Sequence, residues 1–250
     1  MQTGYLRLEV NDHYMPAYLA APDGDGPFPG IVVAMHIFGL DQFVRGKCEE
    51  LAEAGFVALA PYLFHRTNVT HQDLGNFDYA DAARWEKVPS LKATLDDNQI
   101  IEDMLEGVKC LRALDIVGPK LGVTGFCIGG RIAYLMATRT DEFEACVDFY
   151  GGEIDQAWGD APTPLSKTAD LNCTVAGYFG NDDYNPTPAD VDALEAELNK
   201  HGKPYEFTRY EDANHAFNDP FNPDRWRDYA GTNSLAKMIE FFNRELAPHR

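Results

Sequence analysis

The sequence predicts an α/β fold with a mostly parallel central sheet, helices on both faces and an N-terminal antiparallel hairpin. Two observations predict it. Apolar strand-like segments alternate with segments whose apolar residues recur at helical spacing. Most of the strand-like segments are continuously apolar, which is typical of parallel strands buried on both faces. With 250 residues, 45% of them hydrophobic, the chain can bury one large core, so we predict a single domain over 1–250.

The N-terminal hairpin is predicted from two segments that flank a polar NDH tripeptide. In LRLEV, Leu6, Leu8 and Val10 alternate onto one face, and YMPAYLA at 14–20 supplies the second strand. Short apolar runs predict the further strands, and apolar stripes at helical spacing predict the helices. These strands cover 30–35, 56–60, 120–124, 145–150, 174–179 and 205–210, and the helices cover 42–54, 97–114, 131–138, 189–200 and a C-terminal segment ending near Leu246.

Two segments are predicted to be loops, and the longer one lacks clear strand or helix periodicity and is rich in aromatic residues. The longer one, 61–95, contains Trp85, and the other, 151–170, follows Tyr150. Long irregular connections are usually functional, so we predict that both are loops that shape the active site. The alternative is an aromatic cluster that packs the longer loop onto the core.

Charge and composition exclude several classes of protein. The formal net charge of −19 repels nucleic acid and acidic membranes. No apolar leader follows Met1, and the longest apolar run, at 30–40, is too short to cross a bilayer, so we expect a cytoplasmic protein. The five cysteines form no C-x-x-C pair, which indicates free thiols. No phosphate-binding loop or metal-ligand spacing occurs, so we expect neither cofactor nor metal.

A cysteine lies at a predicted strand-to-helix turn in the sequence GFCIGG at 125–130. Cys127 follows the strand KLGVT and precedes a helical stripe, with glycines on both sides. The pattern G-x-C-x-G is the nucleophile elbow of α/β-hydrolases with cysteine in place of serine. The alternative, an inert buried thiol, leaves these flanking glycines unexplained.

Two further residues follow predicted strands, where the sites of parallel sheets form. Asp183 comes after TVAGYF and His215 after YEFTRY, which gives the order nucleophile, acid, histidine that α/β-hydrolases use. The adjacent Asp182 could supply the carboxylate instead. An ordinary thiol has a pKa of about 8.5, so a histidine must take its proton, and an acid must orient that histidine.

A tetrahedral intermediate also needs backbone N–H donors around its oxyanion. Ile128 is predicted as the first donor because it follows the nucleophile at a helix N-terminus. The second donor lies on the loop after the strand at 30–35. Ile37 is predicted there, with Phe38 as the alternative.

The sequence resembles the dienelactone hydrolases (carboxymethylenebutenolidases) over most of its length. GFCIGGR is similar to the cysteine elbow of that family, IFGL to its oxyanion loop, APYLFHR to the segment after the next strand, GNDD to its acid loop and YEDANHAF to its histidine loop. The resemblance implies an α/β-hydrolase that cleaves a small-molecule ester or lactone. It also implies a triad of Cys127, Asp183 and His215.

Two positions depart from the pattern of that family. His36 stands where the family usually has a glutamate that interacts with the resting thiol, so this histidine is a possible partner of Cys127 or is satisfied by nearby backbone. Asp219 stands near the expected place of a carboxylate-binding arginine, which makes dienelactone itself an unfavourable substrate. Possible pocket residues are Phe38, Trp85, Arg131 and Tyr150, although Arg131 could equally make a structural salt bridge.

Two other functions are compatible with the sequence. The substitution at His36 allows a catalytically silent α/β-hydrolase fold that binds a small molecule or a partner. A reactive Cys127 would also suit a redox-sensing thiol protein. Turnover of an ester distinguishes the enzyme from both alternatives.

Overall fold

The computed structural model describes residues 1–75 and 82–247. These residues divide into two compact units, each of which is described separately below. The first unit comprises Met1–Lys120 and Trp158–Ala161, and the second comprises the described parts of Leu121–Ala157 and Pro162–Arg250. The predicted single domain over 1–250 stays a prediction.

The described residues of the first unit form four strands, in the order β1-β2-β4-β3. β1 pairs with β2 in antiparallel register, with Leu8 opposite Met15, which confirms the predicted hairpin. β2 pairs with β4 antiparallel, whereas β3 and β4 are parallel. The strands are β1 (Gln2–Val10), β2 (His13–Ala21), β3 (Phe28–Ala34) and β4 (Val57–Pro61).

The helices of the first unit begin at identifiable caps. The carboxylate of Asp41 caps α1, and that of Asp96 caps α4 by accepting hydrogen bonds from two backbone N–H groups in each case. The predicted stripe on α4 is confirmed, because Ile100, Met104, Val108 and Leu111 are all buried. The helices are α1 (Gln42–Glu53), α2 (His71–Gly75), α3 (Ala82–Lys92) and α4 (Asp97–Arg112).

The prediction that 61–95 lacks regular structure is wrong for the described part of that segment. It contains α2 and α3. Two aromatic residues of the segment, Phe77 and Tyr79, lie outside the described residues. The sequence conceals α2 because it is only five residues long, and α3 because it carries Pro89 and few apolar residues at helical spacing. The segment 151–170 is irregular until a short 3-10 helix at Leu165–Asp170.

The second unit contains parallel strands in the order β5-β6-β7-β8, separated by helices. Strands and helices alternate as predicted, and each predicted element of this region is present. Ten of the 12 residues of α5 are buried. Among the residues that the structure describes, no helix combines the length and apolar character needed to cross a membrane. The elements are β5 (Val117–Phe126), α5 (Ile128–Arg139), β6 (Ala145–Phe149), β7 (Thr174–Gly180), α6 (Pro188–Lys200), β8 (Tyr205–Tyr210) and α7 (Asp228–Glu245).

The N-terminus of α6 generates a stability prediction. The hydroxyl of Thr187 accepts a hydrogen bond from the Asp190 N–H, and the Asp190 carboxylate accepts one from the Thr187 N–H in return. We expect Thr187→Ala to lower the free energy of unfolding by about 1 kcal/mol, measured by urea denaturation. Thr187→Ser is the control and should retain wild-type stability. An alanine variant as stable as the serine variant would contradict the assigned cap.

Candidate active site

Cys127 occupies a strained turn between β5 and α5. Its backbone has φ 60° and ψ −123°, and for a residue other than glycine such a conformation costs about 1–3 kcal/mol. Two backbone hydrogen bonds hold it: the Cys127 N–H donates to the Phe149 carbonyl at 3.1 Å, and the Cys127 carbonyl accepts from the Gly130 N–H at 3.0 Å. Ile128 is the first residue of α5, so its N–H has no acceptor within the helix.

The glycines around Cys127 are required by close approach. A Cβ atom on Gly125 would lie 2.1 Å from the Gly129 carbonyl oxygen, and one on Gly130 would lie 2.2 Å from Oδ1 of Asp148. Both distances are far shorter than any van der Waals contact. The spacing of glycines in the sequence therefore reflects how tightly the strand and the helix cross at this turn.

Asp183 and His215 lie together at the ends of β7 and β8. Nδ1 of His215 is 2.9 Å from Oδ2 of Asp183, whose side chain is completely buried. The other carboxylate oxygen of Asp183 accepts the Asn185 N–H at 2.9 Å. Asp182 is exposed. The structure thus places Asp183, rather than Asp182, against the histidine.

The charge of the Cys127 thiolate acts on the ring of His215 and influences its pKa. Burial on its own lowers the pKa of His215. The charge of Cys127, together with the hydrogen bond to Asp183, outweighs burial and raises that pKa to about 10. The arrangement therefore stabilises an imidazolium beside a thiolate.

Tyr150 lies directly against the histidine. Its ring centroid is 4.9 Å from that of His215 in an edge-to-face arrangement, and its hydroxyl donates to Oδ1 of Asn218. Tyr150 also has a positive φ, 42°. Burial first, and then the charge of the nearby Asp219, raise the pKa of Tyr150 well above its ordinary value, so the phenol stays neutral. No sequence pattern indicated Asn218 as the partner of Tyr150.

Arg131, a predicted pocket residue, is fully buried in the first turn of α5. Its Nε–H donates to the Glu153 carbonyl at 3.1 Å, and its Nη2 donates to the Gln156 carbonyl at 2.6 Å. These contacts with backbone carbonyls favour the structural alternative. Arg131 thus fastens the loop that follows β6.

In the first unit, the predicted oxyanion loop is a hydrogen-bonded turn. The Gly39 N–H donates to the His36 carbonyl at 2.9 Å, and Ile37 is buried. Nε2 of His36 lies 2.9 Å from Oδ1 of Asp41, the capping residue of α1, without the alignment of a hydrogen bond. The sequence did not indicate this contact. The role of His36 as a partner of the Cys127 thiol stays a prediction. The role of Ile37 as an oxyanion donor also stays a prediction.

The predicted pocket aromatics Phe38 and Trp85 contact each other in the first unit. Their ring centroids are 4.8 Å apart and their planes perpendicular. Phe38 is buried, whereas Trp85, on α3, is 48% exposed.

Among the described residues, no group of three or more histidine, cysteine or carboxylate side chains is arranged to hold a metal ion.

One buried carboxyl group near the elbow was not singled out in the sequence. Asp148, on β6, is completely buried, and its Oδ1 accepts the Gly151 N–H at 2.8 Å. Its Oδ2 has no hydrogen-bond partner among the described protein residues. Burial raises the pKa of Asp148 to about 7, and the Gly151 hydrogen bond opposes that rise only in part.

Parallel strands, a cysteine on a positive-φ turn and an acid–histidine pair at the next strand ends are the features of an α/β-hydrolase. The model of the dienelactone hydrolase family matches residues 15–246. The chain belongs to this family, which confirms the resemblance and the expectation of a hydrolase.

Individual relatives agree with that assignment. A Methylorubrum extorquens protein named as a candidate carboxymethylenebutenolidase is 32% identical over 222 residues, which are 88% of this chain and 74% of that protein. A Bradyrhizobium protein named as a candidate 2-oxo-3-(5-oxofuran-2-ylidene)propanoate lactonase is 30% identical over 98% of this chain and 96% of its own length. The crystal structure of a candidate dienelactone hydrolase from Klebsiella pneumoniae superposes with a TM-score of 0.85 at 27% identity, covering 97% of this chain and 98% of that one. These likenesses confirm the predicted fold class.

The raised pKa of Asp148 generates a prediction about pH. Between the unfolded pKa of 3.8 and the folded pKa of about 7, the folded protein retains a proton that the unfolded chain has lost, so rising pH destabilises the fold. Asp148→Asn keeps the acceptor and removes the titration. We expect the free energy of unfolding of the variant to rise relative to that of wild type between pH 4 and pH 7, by about 4 kcal/mol at most. Above pH 7 the difference between the two proteins should stay constant. Urea denaturation across this range measures it, and a difference independent of pH would contradict the raised pKa.

Proposed function

We propose that the protein hydrolyses carboxylic esters or lactones through a covalent acyl-cysteine intermediate on Cys127. The observation that carries the proposal is the pairing of His215 with the buried Asp183 at 2.9 Å, together with the strained elbow turn of Cys127, whose charge acts on the same histidine. A thiolate is the nucleophilic form of cysteine, and this arrangement stabilises it. Family membership and the names of the relatives support an ester or lactone as the substrate.

In the first step, the thiolate of Cys127 attacks the carbonyl carbon of the substrate. A sulfur–carbon bond forms, and the carbonyl oxygen takes the negative charge, which the proposal assigns to the N–H of Ile128, the first residue of α5, to stabilise. The intermediate then collapses. The bond to the alcohol oxygen breaks as the imidazolium of His215 protonates it, which leaves a thioester and a neutral His215.

In the second step, water hydrolyses the thioester. His215 accepts a proton from water as the water oxygen attacks the carbonyl, and the thiolate then leaves, so that the acid product, the thiolate and the imidazolium are restored. Asp183 holds the ring through Nδ1 during both steps. One water molecule is consumed for each ester bond cleaved.

The charges around the site favour neutral substrates. Asp219 is buried near Tyr150, which in turn contacts His215, and the whole chain carries a formal net charge of −19. The Asp219 carboxylate and the negative net charge of the chain would both repel a carboxylate on the substrate. We therefore propose short neutral esters and lactones rather than dianionic lactones as the preferred class.

The nucleophile is tested by substitution. We expect Cys127→Ala to lower the hydrolysis of p-nitrophenyl acetate by at least about 1000-fold, because the attacking sulfur is lost, while circular dichroism and thermal unfolding stay close to wild type. Cys127→Ser should retain at most weak activity, since a hydroxyl needs a stronger base. Cys110→Ala, at a half-buried thiol on α4, is the control and should keep full activity. Undiminished turnover by the Cys127→Ala variant would exclude the mechanism.

The charge preference is tested at Asp219. The variant Asp219→Asn removes a buried negative charge and keeps an oxygen acceptor for the Phe221 N–H. We expect it to raise kcat/KM for p-nitrophenyl hemisuccinate relative to p-nitrophenyl butyrate by about 5-fold at low ionic strength. Glu240→Gln removes one exposed charge from α7 and serves as the control. An equal change in both variants would show that only the net charge matters.

A further inference from the structure

The buried carboxyl of Asp148 lies beside the nucleophile elbow, yet the proposed reaction does not use it. Asp148 precedes Phe149, whose carbonyl accepts the N–H of Cys127. In β6, Asp148 pairs with Gly125 of β5, the glycine just before the elbow. A buried carboxyl at this position carries an energetic cost, so a compensating role is expected.

Asp148 fills the space between α5 and the turn that follows β6. A Cβ on Gly130, in the first turn of α5, would lie 2.2 Å from its Oδ1, and a Cβ on Gly151 would lie 2.5 Å from the same atom. The Gly151 N–H donates to this oxygen at 2.8 Å. One carboxyl oxygen thus contacts both segments, and glycines on both sides leave room for it.

The turn held by Asp148 contains Tyr150. With φ at 42°, Tyr150 is in a conformation that persists only where its surroundings determine it. Its N–H donates to the Tyr178 carbonyl at 3.0 Å, and its ring lies on His215. The hydrogen bond from Gly151 to Asp148 fixes the other side of the same residue.

We propose that Asp148 is a positioning residue: through Gly151 it holds the turn that keeps Tyr150 against His215 and the Phe149 carbonyl on the N–H of Cys127. Its catalytic meaning rests on the proposed function. Tyr134 on α5 and Cys146 on its own strand interact electrostatically with Asp148, and burial raises the pKa of both, so both are neutral. Asp148 therefore acts as a hydrogen-bond acceptor and not as one half of an ion pair.

The experiment compares Asp148→Ala, Asp148→Asn and the control Val147→Ala, which truncates the adjacent buried residue of β6. Two quantities decide the outcome: kcat for p-nitrophenyl acetate, measured together with KM, and the rate of Cys127 alkylation by iodoacetamide from pH 5 to pH 10, resolved by peptide mass spectrometry. We expect Asp148→Ala to lower kcat by about 10-fold or more with little change in KM, because small misplacements of reacting groups are costly. It should also shift the alkylation profile along the pH axis.

Asp148→Asn, which retains the acceptor, should restore both quantities to near wild-type values, and Val147→Ala should lose stability while leaving both unchanged. If Asp148→Ala does not fold, Asp148→Val, which also lacks the acceptor, takes its place. A wild-type kcat and profile in the acceptor-free variant, the same losses in Val147→Ala, or no restoration by asparagine would each overturn the proposal. If the wild-type protein cleaves no ester, the proposed function fails, while the alkylation profiles still decide the role of Asp148.

Discussion

The reversal of the chain at Cys127 is the constraint on which the site depends. The chain passes from β5 into α5 through one residue with φ at 60°, and glycines on both sides let the two elements cross without atoms overlapping. Any side chain at Gly125 would meet the Gly129 carbonyl at 2.1 Å. The same turn sets the cysteine at the start of a helix whose N–H groups and dipole favour a negative charge nearby. The strained turn thus fixes the position of Cys127.

Charge decides the protonation of the site. Desolvation favours a neutral imidazole, but the interactions of His215 with Cys127 and Asp183 act in the opposite direction and prevail. Asp183 supplies this effect because its carboxylate is buried and held by the Asn185 N–H, whereas the exposed Asp182 would be screened by water. A neutral Tyr150 covers the histidine without adding charge. In the proposed mechanism, the pair of Cys127 and His215 is therefore set for nucleophilic attack before a substrate arrives.

Sequence patterns predicted the strands and the positions of Cys127, Asp183 and His215, because strand periodicity and the glycines of the elbow are local signals. What they missed depends on contacts between residues distant in sequence. Asp148 looks like an ordinary strand residue until β6 lies against the first turn of α5. Arg131 could have bound substrate, and only the path of the loop after β6 shows its bonds to backbone carbonyls. The helix α3 was missed because Pro89 and weak periodicity conceal it.

The most direct test of the account is to trap the acyl-enzyme. A p-nitrophenyl ester of a bulky acid, such as p-nitrophenyl pivalate, acylates a thiol quickly enough to observe. The bulky acyl group is then released slowly from the thiol. Acid quenching within the first turnover, followed by peptide mass spectrometry, locates the added acyl group. The account predicts the acyl mass on the peptide that contains Cys127, with the other four cysteines unmodified. Release of p-nitrophenol with no acyl group on Cys127, or with the acyl group on another residue, would contradict it.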